Sequence, residues 1–364
     1  MAKANMDFLK DFDKEISKLS GIGTSSTPPR YWYSMGNHVL NRIMSGSFYK
    51  GIPQGRITNL AGSSGAGKSF LAANLIKSAQ QSGAYCLIID SENALDDEFM
   101  GKIGVDVNDG YKYVSVSTIS QVTSVVSAFL KGYKKQVGEA DDAPQVVILI
   151  DSLDMLMTDT ELGHYDKGDS KGDQGQRNKQ LKAMLRTFVQ DIKPLNVAMI
   201  CTSQVYKNQD VTNGEGLWIV SDAVKYAASQ IILLSKLKLK DESGKHGQYK
   251  GIRMKCEGYK TRFCAPFSVV TVEVPYESGM DPYSGLLDSA VELGVVEKKG
   301  AWNQITGTEE KWYAKNIDQY ADSILVKCES LTDKHLTGEI TDWEVDPNDD
   351  EVSAKSKRQD KATA

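Results

Sequence analysis

The stretch Gly62-Ser63-Ser64-Gly65-Ala66-Gly67-Lys68-Ser69 decides the fold. It is G-x-x-x-x-G-K-[ST] without a departure, the spacing of a phosphate-binding loop. Successive backbone N–H groups must converge on an anion there, and side chains at the glycines would block the turn and the close approach. Lys68 supplies charge for the β- and γ-phosphates of ATP, and Ser69 a hydroxyl oxygen for Mg²⁺. Such a loop follows a strand and opens a helix. Residues 56–61 (RITNLA) have strand character and residues 70–76 (FLAANLI) are apolar at helical spacing. That context separates the motif from a Gly/Ser-rich surface turn, and the chain reads as a nucleotide hydrolase.

Outward from the loop, strands and helices alternate. Residues 85–90 (YCLIID), 146–151 (VVILID) and 197–202 (VAMICT) are continuous apolar runs. Helical spacing links Ile119, Val122, Val125, Val126, Phe129, Leu130 and Tyr133, and again Leu181, Met184, Leu185 and Phe188. Apolar strands between helices predict an α/β fold, with a mainly parallel sheet covered on both faces. Residues 111–116 read as a further strand. Residues 230–257 read as two strands joined by a turn at 241–247.

Ligands of open parallel sheets bind beyond the carboxyl ends of the strands. Three positions stand there: Asp90 with Glu92, Asp151, and Gln204. Asp151, closing an apolar run, fits the carboxylate that holds Mg²⁺ through water; the plainer alternative is an acid capping its loop. Many such ATPases carry a catalytic glutamate directly after this aspartate. Here the next residue is Ser152, so the base must come from elsewhere, and Glu92 is the best candidate to orient the attacking water and accept its proton. Gln204 is placed to sense the γ-phosphate. Lys260 and Arg262 are candidates to stabilise charge in phosphoryl transfer from a neighbouring subunit, or else two solvated cations.

Two loops are candidates for nucleic acid. Residues 158–177 hold four glycines with Lys167, Lys171 and Arg177, and residues 205–218 hold Tyr206, Lys207, Asn208 and Trp218. Cations track a phosphodiester backbone and aromatics stack on bases. Both loops also carry acids, and plain surface loops remain the alternative.

Composition narrows the class. A net charge of −5 excludes a wholly basic nucleic-acid coat but not a local basic groove. No apolar run reaches the roughly 18 residues of a membrane helix, and the amino terminus lacks a signal-peptide core, so a cytoplasmic protein without membrane attachment is expected. The five cysteines form no C-x-x-C pair, and Cys86 and Cys201 fall in strand-like runs as core residues. The four histidines give no metal spacing.

The expected organisation is an amphipathic helix at residues 1–20, with Phe8 and Phe12 on its apolar stripe, and a linker at 21–34. An ATPase core at 35–285, a small module at 286–337 and a disordered tail at 338–364, acidic and then mixed in charge, follow.

Several segments in one order resemble the RecA family of homologous-recombination ATPases. They are 51–57 (GIPQGRI) leading into the phosphate loop, 89–96 (IDSENALD), 149–152 (LIDS), 202–204 (TSQ), 225–229 (KYAAS), 265–267 (APF) and 279–288 (GMDPYSGLLD). The stretch 283–296 is most similar to UvsX-type recombinases of tailed phages. The resemblance spans about residues 35–300. It implies a RecA-type core forming helical filaments on single-stranded DNA, with ATP at subunit interfaces, and pairing with homologous duplex. It gives Glu92 the water-activating role and Gln204 the coupling of γ-phosphate to the second DNA loop. Lys260 and Arg262 become cations that reach the neighbour's ATP; Asp96, Phe99 and Tyr283 become adenine contacts; Lys225 and Tyr226 become an interface pair. The amino-terminal helix becomes a polymerisation arm. A loading mediator and a single-strand-binding protein are implied partners, and a phage origin implies a bacterial host's cytoplasm. Gln204 departs from UvsX-type proteins, which can carry histidine there, and a large bacterial-type carboxyl-terminal domain is not obvious. The rival readings are a hexameric RecA-fold motor such as a helicase, and a filament mediator that hydrolyses ATP poorly.

Overall fold

The computed structural model describes residues 7–18, 28–138, 140–169, 175–207, 218–240, 249–275 and 279–337. Helix α1 (Asp7–Ser17) occupies the middle of the expected amino-terminal helix. Strands β1 (Trp32–Tyr33) and β2 (Ile52–Pro53) pair antiparallel around α2 (His38–Ser45). Tyr33 is among the largest fully buried side chains, so the core starts before residue 35 and the expected linker was drawn too long. An aromatic pair in a Pro-rich stretch folds onto the core because burying it outweighs the bias of its neighbours.

The central units follow in order. They are β3 (Ile57–Gly62), α3 (Lys68–Gln81), β4 (Tyr85–Asp90), α4 (Asp97–Ile103), β5 (Tyr111–Ser115), α5 (Ile119–Gln136) and β6 (Val146–Asp151). After a 3₁₀ turn at Leu153–Met155 come α6 (Asp159–Asp166), α7 (Gln176–Ile192) and β7 (Val197–Ser203). A ribbon of β8 (Tyr206–Lys207) and β9 (Trp218–Ile219), then α8 (Asp222–Ala227), lead to β10 (Gln230–Lys240), β11 (Tyr249–Lys260) and β12 (Val269–Pro275). The eight-stranded sheet has the order β12-β11-β10-β3-β7-β6-β4-β5. From β10 to β5 all neighbours are parallel, and β11 and β12 extend it antiparallel.

The strand runs are continuously apolar because both faces are covered. Leu149 and Val147 point to the layer holding Leu71, Leu75 and Ile76 of α3. Ile148 and Ile150 point to the opposite layer, with Val122 and Val126 of α5 and Leu185 and Phe188 of α7. Cys86 and Cys201 are buried in strands, as expected.

Three local readings are corrected. The expected loop 158–177 contains α6, started by a capping box in which Thr158 accepts from the Glu161 N–H and Glu161 accepts from the Thr158 N–H. The signal T-x-x-E was legible. The expected loop 205–218 begins and ends in the β8–β9 ribbon, and β12 was not anticipated at all. The turn at 241–247 and the tail at 338–364 lie outside the described residues.

Residues from Leu286 form a second compact unit. In it, α9 (Leu286–Glu292), a three-stranded antiparallel sheet of β13 (Val296–Lys299), β14 (Trp302–Ile305) and β15 (Lys311–Trp312), and α10 (Ala321–Thr337) enclose Leu286, Ala290, Val296, Trp312, Ile324 and Leu325. Among the described residues no helix is long and apolar enough to cross a membrane.

Candidate functional site

The strand order sets the carboxyl ends of β3, β7, β6 and β4 side by side. Each end carries a residue singled out from sequence: the phosphate loop, Gln204, Asp151 and Glu92. Their proximity is a product of the fold, since they are spread over more than a hundred positions of chain.

The loop itself is built for close approach. Gly65 and Gly67 take φ values of +68° and +100°, and a Cβ on Gly67 would stand 3.2 Å from the Met254 sulfur. Glycine is therefore favoured there by conformation, and any side chain would also press on Met254. Gly67 also caps α3 without a side-chain acceptor for the first-turn N–H groups, which leaves that helix end suited to an anion. Lys68 is buried to 9% exposure, and its ammonium donates to the carbonyls of Gly62 (3.0 Å) and Ser63 (3.1 Å).

Asp151 ends β6 at 1% exposure. Its Oδ1 accepts from the Thr202 hydroxyl of β7. Its Oδ2 is buried with no hydrogen-bond partner. Burial pushes its carboxyl above the usual carboxylate range, while the Thr202 and Ser69 hydroxyls oppose that rise. A buried, half-satisfied carboxylate next to Ser69 is the donor set that a divalent cation completes. The residues present thus fit Mg²⁺ held between Ser69 and Asp151.

Glu92 is exposed on the turn after β4. Its Oε1 accepts from the Ser152 hydroxyl at 2.5 Å. Ser152, where the sequence pattern lacks a catalytic glutamate, thus holds the carboxylate of the candidate base Glu92. Asp90 orders the same turn: fully buried, it accepts from the N–H groups of Glu92 (2.8 Å), Asn93 (2.9 Å) and Leu95 (3.0 Å). Its positioning role was not foreseen, although an acid two residues before a candidate base is the signal that such a turn leaves.

Gln204 begins the second loop. Its backbone N–H donates to Asp154 Oδ2 at 2.6 Å, and the Tyr206 hydroxyl donates to Asp154 Oδ1 at 2.6 Å. Burial, and then Asp154, push the Tyr206 phenol up to about 12. Asp154 was missed from sequence, lying three residues beyond Asp151 without a motif.

The sequence model of the RecA N-terminal domain matches residues 8–281. The chain belongs to the RecA family. It is 27% identical to Protein RecA of Azospirillum lipoferum over 292 residues, covering 76% of this chain and 75% of that one. It is 29% identical to Protein RecA of Thermus aquaticus over 261 residues, with 69% and 70% covered. With Protein RecA of Campylobacter hominis the identity is 25% over 336 residues, with 86% and 84% covered.

The remaining positions of this RecA-family chain fall into three groups. Lys260, Arg262, Lys225 and Tyr226 come together at the opposite end of β3. The Lys260 ammonium donates to the Lys225 carbonyl, and burial, then Arg262, pull its pKa down. Tyr226 is 70% exposed, with the Lys182 ammonium 4.9 Å from its ring centroid.

Among the DNA candidates, Lys167 and Lys207 are exposed. Arg177 is instead tied inward, donating to the carbonyls of Leu153 and Leu156 at 2.8 Å each. Its guanidinium braces the turn after β6, which is a correction to its reading as a loop cation. Lys171 and Asn208 lie outside the described residues, as does Phe8's side chain; Trp218 is in β9, in register with Lys207.

Of the adenine candidates, Asp96 caps α4 by accepting from the Phe99 N–H at 2.8 Å. Phe99 packs against the core layer of α3. Tyr283 stacks on His38, with centroids 5.6 Å apart.

Proposed function

We propose that this RecA-family chain is a single-strand-DNA-dependent ATPase that assembles into helical filaments and carries out homologous pairing and strand exchange. The observation that carries the reading is the row of strand ends. Lys68, Glu92, Asp151 and Gln204 stand at or just beyond the carboxyl ends of four neighbouring strands, and the expected second DNA loop leaves directly from Gln204. ATP with Mg²⁺ supplies the phosphoanhydride to be split and the cationic charge that makes it electrophilic.

The chain's own residues do the rest. The uncapped N–H groups of α3 and the Gly65–Gly67 backbone receive phosphate oxygens, with Ser63, Ser64 and Ala66 completing the loop. Lys68 exchanges its two loop carbonyls for phosphate. Ser69 and Asp151 hold the metal. Glu92, steadied by Ser152 and Asp90, orients water and takes its proton. Gln204 responds to the γ-phosphate and passes the change to Tyr206 through Asp154. Asp96, Phe99 and Tyr283 flank the adenine. Lys260 and Arg262 act on the nucleotide of the next copy, while Phe12 of α1 and the Lys225–Tyr226 pair join copies.

Lys167 and Lys207 contact DNA, together with Lys171, Asn208 and Trp218. A loading mediator, a single-strand-binding protein and a cytoplasmic setting belong to the same proposal, as does the nearer kinship to UvsX-type recombinases carried by residues 283–296. The matched relatives are RecA proteins, which favours an open filament over a closed motor ring.

The experiment is ATP hydrolysis with and without long single strands, across strand length and salt, with Lys68→Ala as the blank. Stimulation that grows with length and falls with salt is expected. Hydrolysis indifferent to DNA would overturn the recombinase reading while leaving an ATPase.

A further inference from the structure

The amino end of the central strands holds a second cationic site. A cavity of about 270 Å³ is lined there by Arg56, Lys193, Tyr226, Ser229, Gln190 and Arg262. Arg56 is half-buried in its wall, with Nη1 donating to the Gly55 carbonyl; Lys193 and Arg262 are exposed at its rim. Burial, then Arg262, lower the pKa of Arg56, and the same two causes act on Lys260 next to the cavity. Half-buried Arg56 loses hydration and is repelled by Arg262 across the same cavity, a cost that an anion relieves.

The anion cannot be the chain's own nucleotide phosphates. Arg56 precedes β3 and the phosphate loop follows it, and a strand of that length separates them by roughly 20 Å at about 3.3 Å per residue. One strand therefore carries a phosphate-binding loop at its carboxyl end and a cationic pocket at its amino end. Two ends that complement each other head-to-tail form a heterologous contact, the kind that joins successive copies of one chain. A cavity of about 270 Å³ has room for a compact phosphate group.

We infer that Arg56, with Lys193 at the rim, joins Arg262 in a pocket that receives the phosphates of the nucleotide held by the next copy of this chain. The inference rests on the reading of head-to-tail assembly above. It adds Arg56 and Lys193 to the two cations read from sequence, and it places the filament contact on the amino end of β3.

The first test measures affinity for a fluorescent ATP analogue in two states: dilute protein without DNA, and protein assembled on long single strands. The wild type is expected to bind more tightly when assembled. Arg56→Gln should lose about tenfold of assembled-state affinity and leave dilute affinity unchanged, with Arg56→Lys recovering part of the loss. Equal weakening in both states would overturn the proposal, because Arg56 would then act within its own chain.

The second test mixes Arg56→Gln copies with Glu92→Gln copies. The first keep an intact phosphate loop and base; the second supply an intact Arg56. Hydrolysis above the sum of the separate rates is expected, because about a quarter of random interfaces pair a working loop with a working pocket. Arg262→Gln copies are mixed in the same way. Gain with Arg262→Gln but not with Arg56→Gln would sink the role of Arg56 and keep the assembly reading. Gain with neither, despite co-assembly seen by energy transfer between labelled copies, would sink both. If Arg56→Gln instead lowers only the salt-dependence of DNA binding, the pocket serves DNA phosphates and the proposal is wrong.

Discussion

The Asp154 carboxylate and the Tyr206 hydroxyl lie 2.6 Å apart. The other oxygen of the same carboxylate accepts from the Gln204 N–H. A single side chain on the turn after β6 thereby fixes the residue that follows β7 and the first strand of the second loop. Under the proposed function, a shift of Gln204 toward or away from phosphate is passed through that carboxylate to Tyr206. Tyr206→Phe keeps the ring and removes only this bond. The ratio of DNA-stimulated to unstimulated hydrolysis should fall by roughly fivefold, the scale of about 1 kcal/mol for a part-exposed bond to a charged acceptor. An unchanged ratio would mean that Asp154 braces backbone alone.

The same bond has a defined pH window. The Tyr206 phenol is pushed up to about 12, mainly by burial, so its donating form persists throughout the working range. Its contribution to stability is complete below the ordinary tyrosine value near 10 and is lost as pH rises through the raised one. The difference in melting temperature between wild type and Tyr206→Phe should be flat from about pH 6 to 9 and shrink only in strong alkali. A difference that titrates near neutrality would point to another group.

Asp151 makes the opposite prediction for stability and activity. Its buried, half-partnered carboxylate has a raised pKa, so its contribution to stability is present below the ordinary carboxylate value and is lost as pH rises through the raised one. At neutral pH, without metal, the charge is a liability. Asp151→Asn should melt no lower than wild type, and up to a few degrees higher. Adding Mg²⁺ with nucleotide should stabilise the wild type and not the variant, and hydrolysis should be lost. Calorimetry with and without metal reads both effects. A variant that melts several degrees lower would show that Asp151 is held mainly by Thr202.

What the sequence revealed depended on how local each signal was. The phosphate loop was legible because its geometry is made by consecutive residues. The strands were legible because burial on both faces leaves an unbroken apolar run, as in residues 146–151. The α6 capping box is equally local and legible as T-x-x-E, but the glycines and charges around it read as a loop. Asp154, Ser152 and the Arg177 brace were not legible, because their partners are fixed by which strand ends become neighbours. Arg56 is the sharpest case. In sequence it leads into the phosphate loop, and only the length of β3 shows that it stands at the other end of the sheet.

Ser152 and Glu92 give a graded test of the base. Glu92→Gln should still bind ATP and turn it over at least about a hundredfold more slowly, the usual span for a lost general base. Ser152→Ala removes the 2.5 Å bond to Oε1 and leaves the carboxylate free to wander. Its turnover should fall by about five- to tenfold while nucleotide affinity holds, since positioning acts on the reacting geometry and not on phosphate binding. If Glu92→Gln turns over at the wild-type rate, the base is another residue.

The last prediction concerns assembly. Phe12 on α1 is 56% exposed, and an aromatic ring left to water on an amphipathic helix gains about 2 kcal/mol when a partner surface covers it. Removing residues 1–20 should therefore leave a folded core, melting within a few degrees of the full chain, that no longer forms filaments in micrographs. Phe12→Ser should weaken assembly by about tenfold or more in the concentration needed, without lowering the melting temperature of the dilute protein. Lowered melting with normal filaments would instead return α1 to its own domain, because the ring would then be packing within one copy.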